Sequence, residues 1–208
     1  MGAGKMKFAR LLLCILTVIA VPSGVYSDSS YSKVVAKKAK RENRDRKARR
    51  YIYEHEDTYV AVVWPRGISH LKGIRDILSQ FAPIVFEKNF SLSNYGPILL
   101  YQVCQLGIWP IKAENMMVNN YLSGMTSPYR MHAFIFQTNK SFDQIINIKQ
   151  KIRDYVGISY WSIHTSDNHF ETKKLADVLF VDSLLEYMST AAWGTSIEFL
   201  WNKIVPLS

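Results

Sequence analysis

From Thr58 onward, runs of consecutive apolar residues take turns with apolar positions at helical spacing. "TYVAVVWP" is β-branched and aromatic and is stopped by Pro65 and Gly67, the pattern of a buried strand. Ile68, Leu71, Ile74, Leu78 and Phe81 then recur at helical spacing up to Pro83. "IVFEKNFSL" sets Ile84, Phe86, Lys88 and Phe90 against Val85, Glu87, Asn89 and Ser91, which predicts a second strand. The stretch from Asn94 to Gly124 is mixed and predicts two short helices, around Leu99–Leu106 and Ala113–Leu122. "MHAFIFQT", Met131 to Thr138, predicts another buried strand. Ser141 and Gln144 form a capping box ahead of a helix face of Phe142, Ile145, Ile148, Ile152 and Tyr155, and Gly157 ends that helix. "ISYWSIH" predicts the last strand, and Asn168 with Glu171 three residues later opens a further helix.

The predicted order reduces to βαββαβ with a helical insertion and a helical C-terminal extension over 182–208. An α+β domain of ferredoxin-like topology follows, an antiparallel sheet with helices on one face. The extension carries Trp193, Phe199 and Trp201, aromatics expected to pack on the domain or on a partner. Ahead of the domain, "SDSSYS" reads as a polar linker. "KVVAKKAKRENRDRKARR" reads as a helix-forming segment without a wide apolar stripe, so a solvated helix and not a core one. The predicted organisation is a leader over 1–27, a polar and basic arm over 28–53, and a single domain over 54–208.

Charge sharpens this division. The formal net charge is +9, but Lys33 to Arg50 contain ten Lys/Arg against two Asp/Glu, and the chain from Tyr51 has thirteen basic and fourteen acidic residues. The folded part is near neutral. The basic arm over 33–50 is a candidate contact for an anionic membrane surface or nucleic acid.

Lys5, Lys7 and Arg10 precede eleven apolar residues from Leu11 to Val21, and "PSG" and "VYS" follow. That is the layout of a secretory signal peptide cleaved after Ser27, which predicts a secreted or envelope protein. The competing expectation is an uncleaved anchor with the domain on the cytoplasmic side, because more positive charge follows the apolar run than precedes it. With Cys14 in the leader, Cys104 would be the one mature cysteine, a buried small hydrophobe. No metal-type Cys/His spacing is present, so no metal site is expected. "NFS" at Asn89 and "NKS" at Asn139 fit a glycosylation pattern that matters only in a secreted eukaryotic product.

The chemical interest lies in "YWSIHTSDNHFETKKLADVLF". His164 ends an apolar run, and small polar residues lead into a helix. Helix capping by Ser166, Asp167 and Asn168 explains these residues without a ligand. A helix N-terminus directly after a histidine is also a natural anion site. His132 reads as a satisfied core histidine, His55 and His70 stand alone, and His169 shares the cap with His164 but is expected to be exposed.

"IHTSDN" resembles the I-H-G-S-D-S signature that ends the last core strand of nucleoside diphosphate kinases. "AVVWPRGI" stands where that family has an apolar strand followed by K-P-D-G-V, and "MTSPYRMHAFIF" is similar to its S-G-P loop and following strand. The likeness runs from about Thr58 to Phe180 in order of elements, with specific matches at the histidine motif. It implies that His164 is the phosphoryl-accepting nucleophile and that Ser166 and Asp167 are the motif's serine and aspartate. It implies Mg²⁺ as cofactor should a nucleotide bind. The departures bear on catalysis: the family's lysine is Trp64 here, its aspartate is Arg66, and Lys149, Lys151 and Arg153 fall within a helix. Phosphoryl transfer depends on positive groups around the phosphates. The expectation is an anionic small-molecule ligand, a nucleotide or sugar phosphate, bound by His164, Arg66, Arg130, Ser166, Asp167 and Asn168 without efficient transfer. The alternative is a non-enzymatic interaction protein that uses its basic arm and aromatic tail.

Overall fold

A computed structural model describes residues 28–104 and 117–192. The predicted leader, the aromatic tail from Trp193, the end of the first inserted helix and residues 113–116 of the second lie outside the described residues. The elements in chain order are α1 (Asp28–Glu54), β1 (Thr58–Val63), α2 (Leu71–Phe81), β2 (Ile84–Leu92), α3 (Gly96–Cys104), β3 (Tyr129–Gln137), α4 (Phe142–Val156), β4 (Ile163–Thr165), α5 (His169–Leu179) and α6 (Asp182–Thr190). Tight helical turns precede α2 over Pro65–His70 and precede β4 over Ser159–Trp161, and a wide turn covers Met117–Tyr121. Internal contacts divide the chain at Lys38 and Ala39. Of the first unit only the start of α1 is described.

The four strands form one antiparallel sheet in the order β2-β3-β1-β4. β1 and β3 are central and buried at nearly every position, so both faces of the sheet must be covered. One face packs Ala61, Val63, Phe134, Phe136 and Ile163 against Ile74 and Leu78 of α2 and Ile145, Ile148 and Ile152 of α4. The other packs Val60, Val62, Leu92, Met131 and Ile135 against residues of α1, α3, α5 and α6. This corrects the expectation of helices on one face: the inserted and C-terminal helices form a second layer.

Two further expectations change. The predicted strand "ISYWSIH" pairs only from Ile163, since Ser159–Trp161 coil into a helical turn. The first turn of the helix predicted after Pro65 is tight, and the α-helix proper starts at Leu71. Gly67 sits in that turn against β4, where an added Cβ would stand 2.5 Å from the Ser162 carbonyl oxygen and 2.9 Å from Val63 Cγ1. Only a residue without a side chain permits that approach.

The segment expected to be a solvated helix is helical, but its C-terminal half is docked. Asp45, Ala48 and Ile52 are buried, at the i, i+3, i+7 spacing of one helix face. The tie is largely ionic, which is why no apolar stripe announces it. Lys88 of β2 is 3% exposed and donates to Asp45 and, at 3.1 Å, to Asp182 of α6. Arg41 donates to the other Asp182 oxygen at 2.7 Å. Burial works to raise the Asp182 carboxyl, but Lys88 and Arg41 outweigh it and hold the group below its ordinary value. Arg49 and Tyr53 both donate to Asp177 of α5, at 3.2 and 2.6 Å. Burial, with Asp177 adding to it, pushes the Tyr53 phenol up to about 12.

Candidate functional site

β4 runs antiparallel to β1 with Val62 opposite His164, so His164 lies on the face that carries Val62 and the second helical layer. The alternation of the predicted strand does not extend back from Ile163, because Ser159–Trp161 form a helical turn. His164 Nε2 stands 2.7 Å from Glu171 Oε1, the distance at which an Nε2–H donates to a carboxylate. Glu171 is 3% exposed. Its second oxygen accepts the Asp167 backbone N–H at 2.7 Å, and its own N–H donates to Asn168 Oδ1 at 2.9 Å. The carboxylate is thus held by the Asp167 N–H on one oxygen and faces His164 with the other. The His164 side chain is 13% exposed, and its Nδ1 has no partner among the described residues.

The rest of the motif bonds inward. Ser166 Oγ accepts the Val60 N–H at 3.0 Å and lies 2.8 Å from Thr172 Oγ1. Thr172 Oγ1 donates to the carbonyls of Asn168 at 2.9 Å and Thr58 at 3.2 Å, which leaves the Ser166 hydroxyl as donor to Thr172. Asp167 accepts from Lys149 Nζ at 2.7 Å. Asn168 caps α5. Lys149, although on α4, therefore reaches the motif.

Arg66 and Arg130 are not brought to His164. Arg66 lies in the turn at Pro65–His70 beyond the end of β1, and Arg130 lies on β3. Arg66 donates to the Ser123 carbonyl at 3.0 Å, and its guanidinium lies 5.8 Å from the Trp161 ring. Arg130 is exposed and alternates with His132 and Phe134, on the face opposite to His164.

Trp64, standing where the resembling family has its lysine, is fully buried. Its ring centroid lies 6.0 Å from that of Tyr101 and 5.4 Å from that of Tyr121, and Tyr121 lies 6.5 Å from Trp161. Burial raises both the Tyr101 and the Tyr121 phenols. The position belongs to a buried aromatic cluster. Cys104 is buried, and burial pushes its thiol well up, as suits a packing residue. Among the described residues no cluster of His, Cys, Asp or Glu is disposed to hold a metal ion.

Glu171 is the partner that the sequence pattern showed only as a capping residue. Nothing in the spacing along the chain pairs the two, because the burial of Glu171 comes from the fold.

No family model matches this chain, and no curated protein matches it. Among solved structures it is similar to a nucleoside-diphosphate kinase from Borrelia burgdorferi, a transition-state mimic with bound vanadate and ADP; the match has 16% identity and a TM-score of 0.38 and covers 62% of this chain and 89% of that one.

Proposed function

We propose that Thr58–Phe180 is a nucleoside-diphosphate-kinase-like domain of ferredoxin-like topology, at the cell envelope, which binds a phosphate-bearing ligand at His164 without efficient phosphoryl transfer. One observation carries the reading: a buried Glu171, anchored by the Asp167 N–H, holds His164 through Nε2 and leaves Nδ1 without a partner among the described residues. A carboxylate on one ring nitrogen sets the tautomer and the ring orientation, so the other nitrogen is presented in a defined direction. Protonated, Nδ1 donates to a phosphate oxygen; neutral, it is a nucleophile. Transfer is disfavoured because the cations that would neutralise the phosphates are elsewhere. Trp64 fills the lysine position, Arg66 is bonded to Ser123, and Lys149 is paired with Asp167. Mg²⁺ would accompany a nucleotide ligand.

A second reading, an interaction protein in which the dyad only ties β4 to α5, is favoured by the inward bonding of Ser166, Asp167 and Asn168. Incubation with radiolabelled nucleoside triphosphate and Mg²⁺, followed by equilibrium binding and intact mass, separates the two. The expected result is saturable binding that His164→Ala reduces at least tenfold, with little acid-labile phosphate. Rapid stoichiometric labelling of His164 would instead establish efficient transfer. Unchanged binding in His164→Ala, with a stability loss of ~1–3 kcal/mol from the orphaned Glu171, would support the structural tie.

A further inference from the structure

We propose that the groove between α2 and α4 is a binding site for a small amphipathic anion, an apolar body that ends in a carboxylate. Both helices cover the sheet face opposite to His164, so this site stands or falls separately from the ligand reading there. The cavity has a volume of about 380 Å³, the scale of a pocket for a small organic molecule. Two helical stripes make it. The last turns of α2 contribute Ile77, Gln80 and Phe81, spaced i, i+3, i+4, so they share one helix face. The facing stripe of α4 runs from Gln144 through Asn147 and Ile148 to Lys151, again at intervals of three and four. Lys140, in the segment that leads into α4, completes the lining.

The charge of the groove has one sign. Two lysines line it, and no Asp or Glu does. Lys140 is held in place: its Nζ donates to the Phe81 carbonyl and stands 3.9 Å from the centroid of the Phe81 ring. An ammonium has three donors, and no carboxylate among the described residues takes the others, so donors remain for a ligand oxygen. Lys151 is exposed and likewise has no ion-pair partner among the described residues.

The amides add neutral donors. Gln144 Oε1 accepts the Ser141 N–H at 3.0 Å in the capping box, which leaves its NH₂ group to donate. The side chains of Gln80 and Asn147 bond to no described residue. A carboxylate only accepts hydrogen bonds and carries a single charge, which matches one fixed ammonium together with amide donors in the same groove. Ile77 and Phe81 are only partly buried between the helices, and with Ile148 they offer the apolar surface that the body of the ligand would cover.

The test is titration of the full chain with octanoate, followed through the side-chain NH₂ signals in proton–nitrogen correlation spectra, beside acetate, octanol and octylammonium. The signals of Gln80, Gln144 and Asn147 should shift together and saturably with octanoate. Acetate lacks the apolar body, and octanol and octylammonium lack the negative charge, so each should bind there about tenfold more weakly or worse. Lys140→Met should weaken octanoate by about tenfold as well. Because Lys140 also ties its segment to Phe81, Asn147→Glu serves as the second variant. At an exposed helical position it puts a negative charge into the groove, and it should weaken octanoate by a similar factor with an unchanged thermal midpoint. Ser183→Glu makes the same change of charge at an exposed position of α6, across the sheet, and should leave octanoate binding as it is. Three results would overturn the proposal: octanol or octylammonium binding as tightly as octanoate, no shift of the three side-chain signals with octanoate, or equal octanoate binding by Asn147→Glu and Ser183→Glu.

Discussion

At the scale of single residues, the buried histidine of β3 is the most exposed to pH. His132 Nδ1 is 2.6 Å from Asn89 Oδ1, and Nε2 is 3.2 Å from Glu87 Oε2. Burial pushes its pKa below the ordinary value; Arg75 adds to this and Glu87 opposes it. Below an ordinary imidazole pKa of ~6.5 the unfolded chain therefore binds more protons at this position than the native protein does. The stability contributed by neutral His132 is complete above that pH and is lost as the pH falls. Urea unfolding between pH 7.5 and 5 should show declining stability, and His132→Gln should flatten the slope. A residual slope is expected from His169, whose pKa is lowered by partial burial and by Lys173. The pattern around His132 identified a core histidine, because an apolar run surrounds it. Its partners Glu87 and Asn89 come from a neighbouring strand, and no spacing along the chain pairs them.

At the scale of elements, Lys88 shows how a polar position can govern packing. The alternation of β2 grouped Lys88 with Phe86 and Phe90, and the fold turns that side inward, where a cation must find partners. It finds them in Asp45 of α1 and Asp182 of α6, so one side chain joins three elements. Lys88→Ala would leave Asp45 buried without its cation and should cost about 3–5 kcal/mol in chemical denaturation. The double variant Lys88→Met/Asp45→Leu should recover a large part of that loss, since it removes the desolvated charges together. The same contact explains why the arm reads as solvated along the chain: its inner face is made of Arg41, Asp45, Ala48 and Arg49, and only Ile52 is large and apolar. A periodicity argument weighs hydrophobic residues and misses a helix that docks by ion pairs.

At the scale of the whole molecule, the docking of α1 changes what a truncation does. Residues from Ala39 belong to the compact unit that contains the sheet, and Asp45 and Ala48 are part of its interior. Removing residues up to Lys38 should leave the thermal midpoint within a few degrees of the intact chain. Removing residues up to Arg50 exposes Lys88 and part of the second core and should lower the midpoint by more than ~10 °C, or prevent folding, as loss of several kcal/mol does in a domain of this size. Scanning calorimetry of the two truncated proteins distinguishes them, and equal midpoints would show that the docked half of α1 contributes little.

The chain by itself determined the elements whose cause is local. Consecutive β-branched and aromatic residues made β1 and β3 legible, the Ser141–Gln144 box and Gly157 bounded α4, and Asn168 with Glu171 marked the start of α5. These signals arise within a few residues, where propensity, capping and periodicity act. Tertiary structure alone decided which groups meet. The second helical layer, the burial of Lys88, the placement of Arg130 on the sheet face opposite to His164, and the pairing of His164 with a buried Glu171 depend on contacts across the sheet and between helices. A neighbour in space leaves no fixed interval in the sequence. Desolvation then decides the outcome, since a charge taken out of water must be matched by a partner from another element.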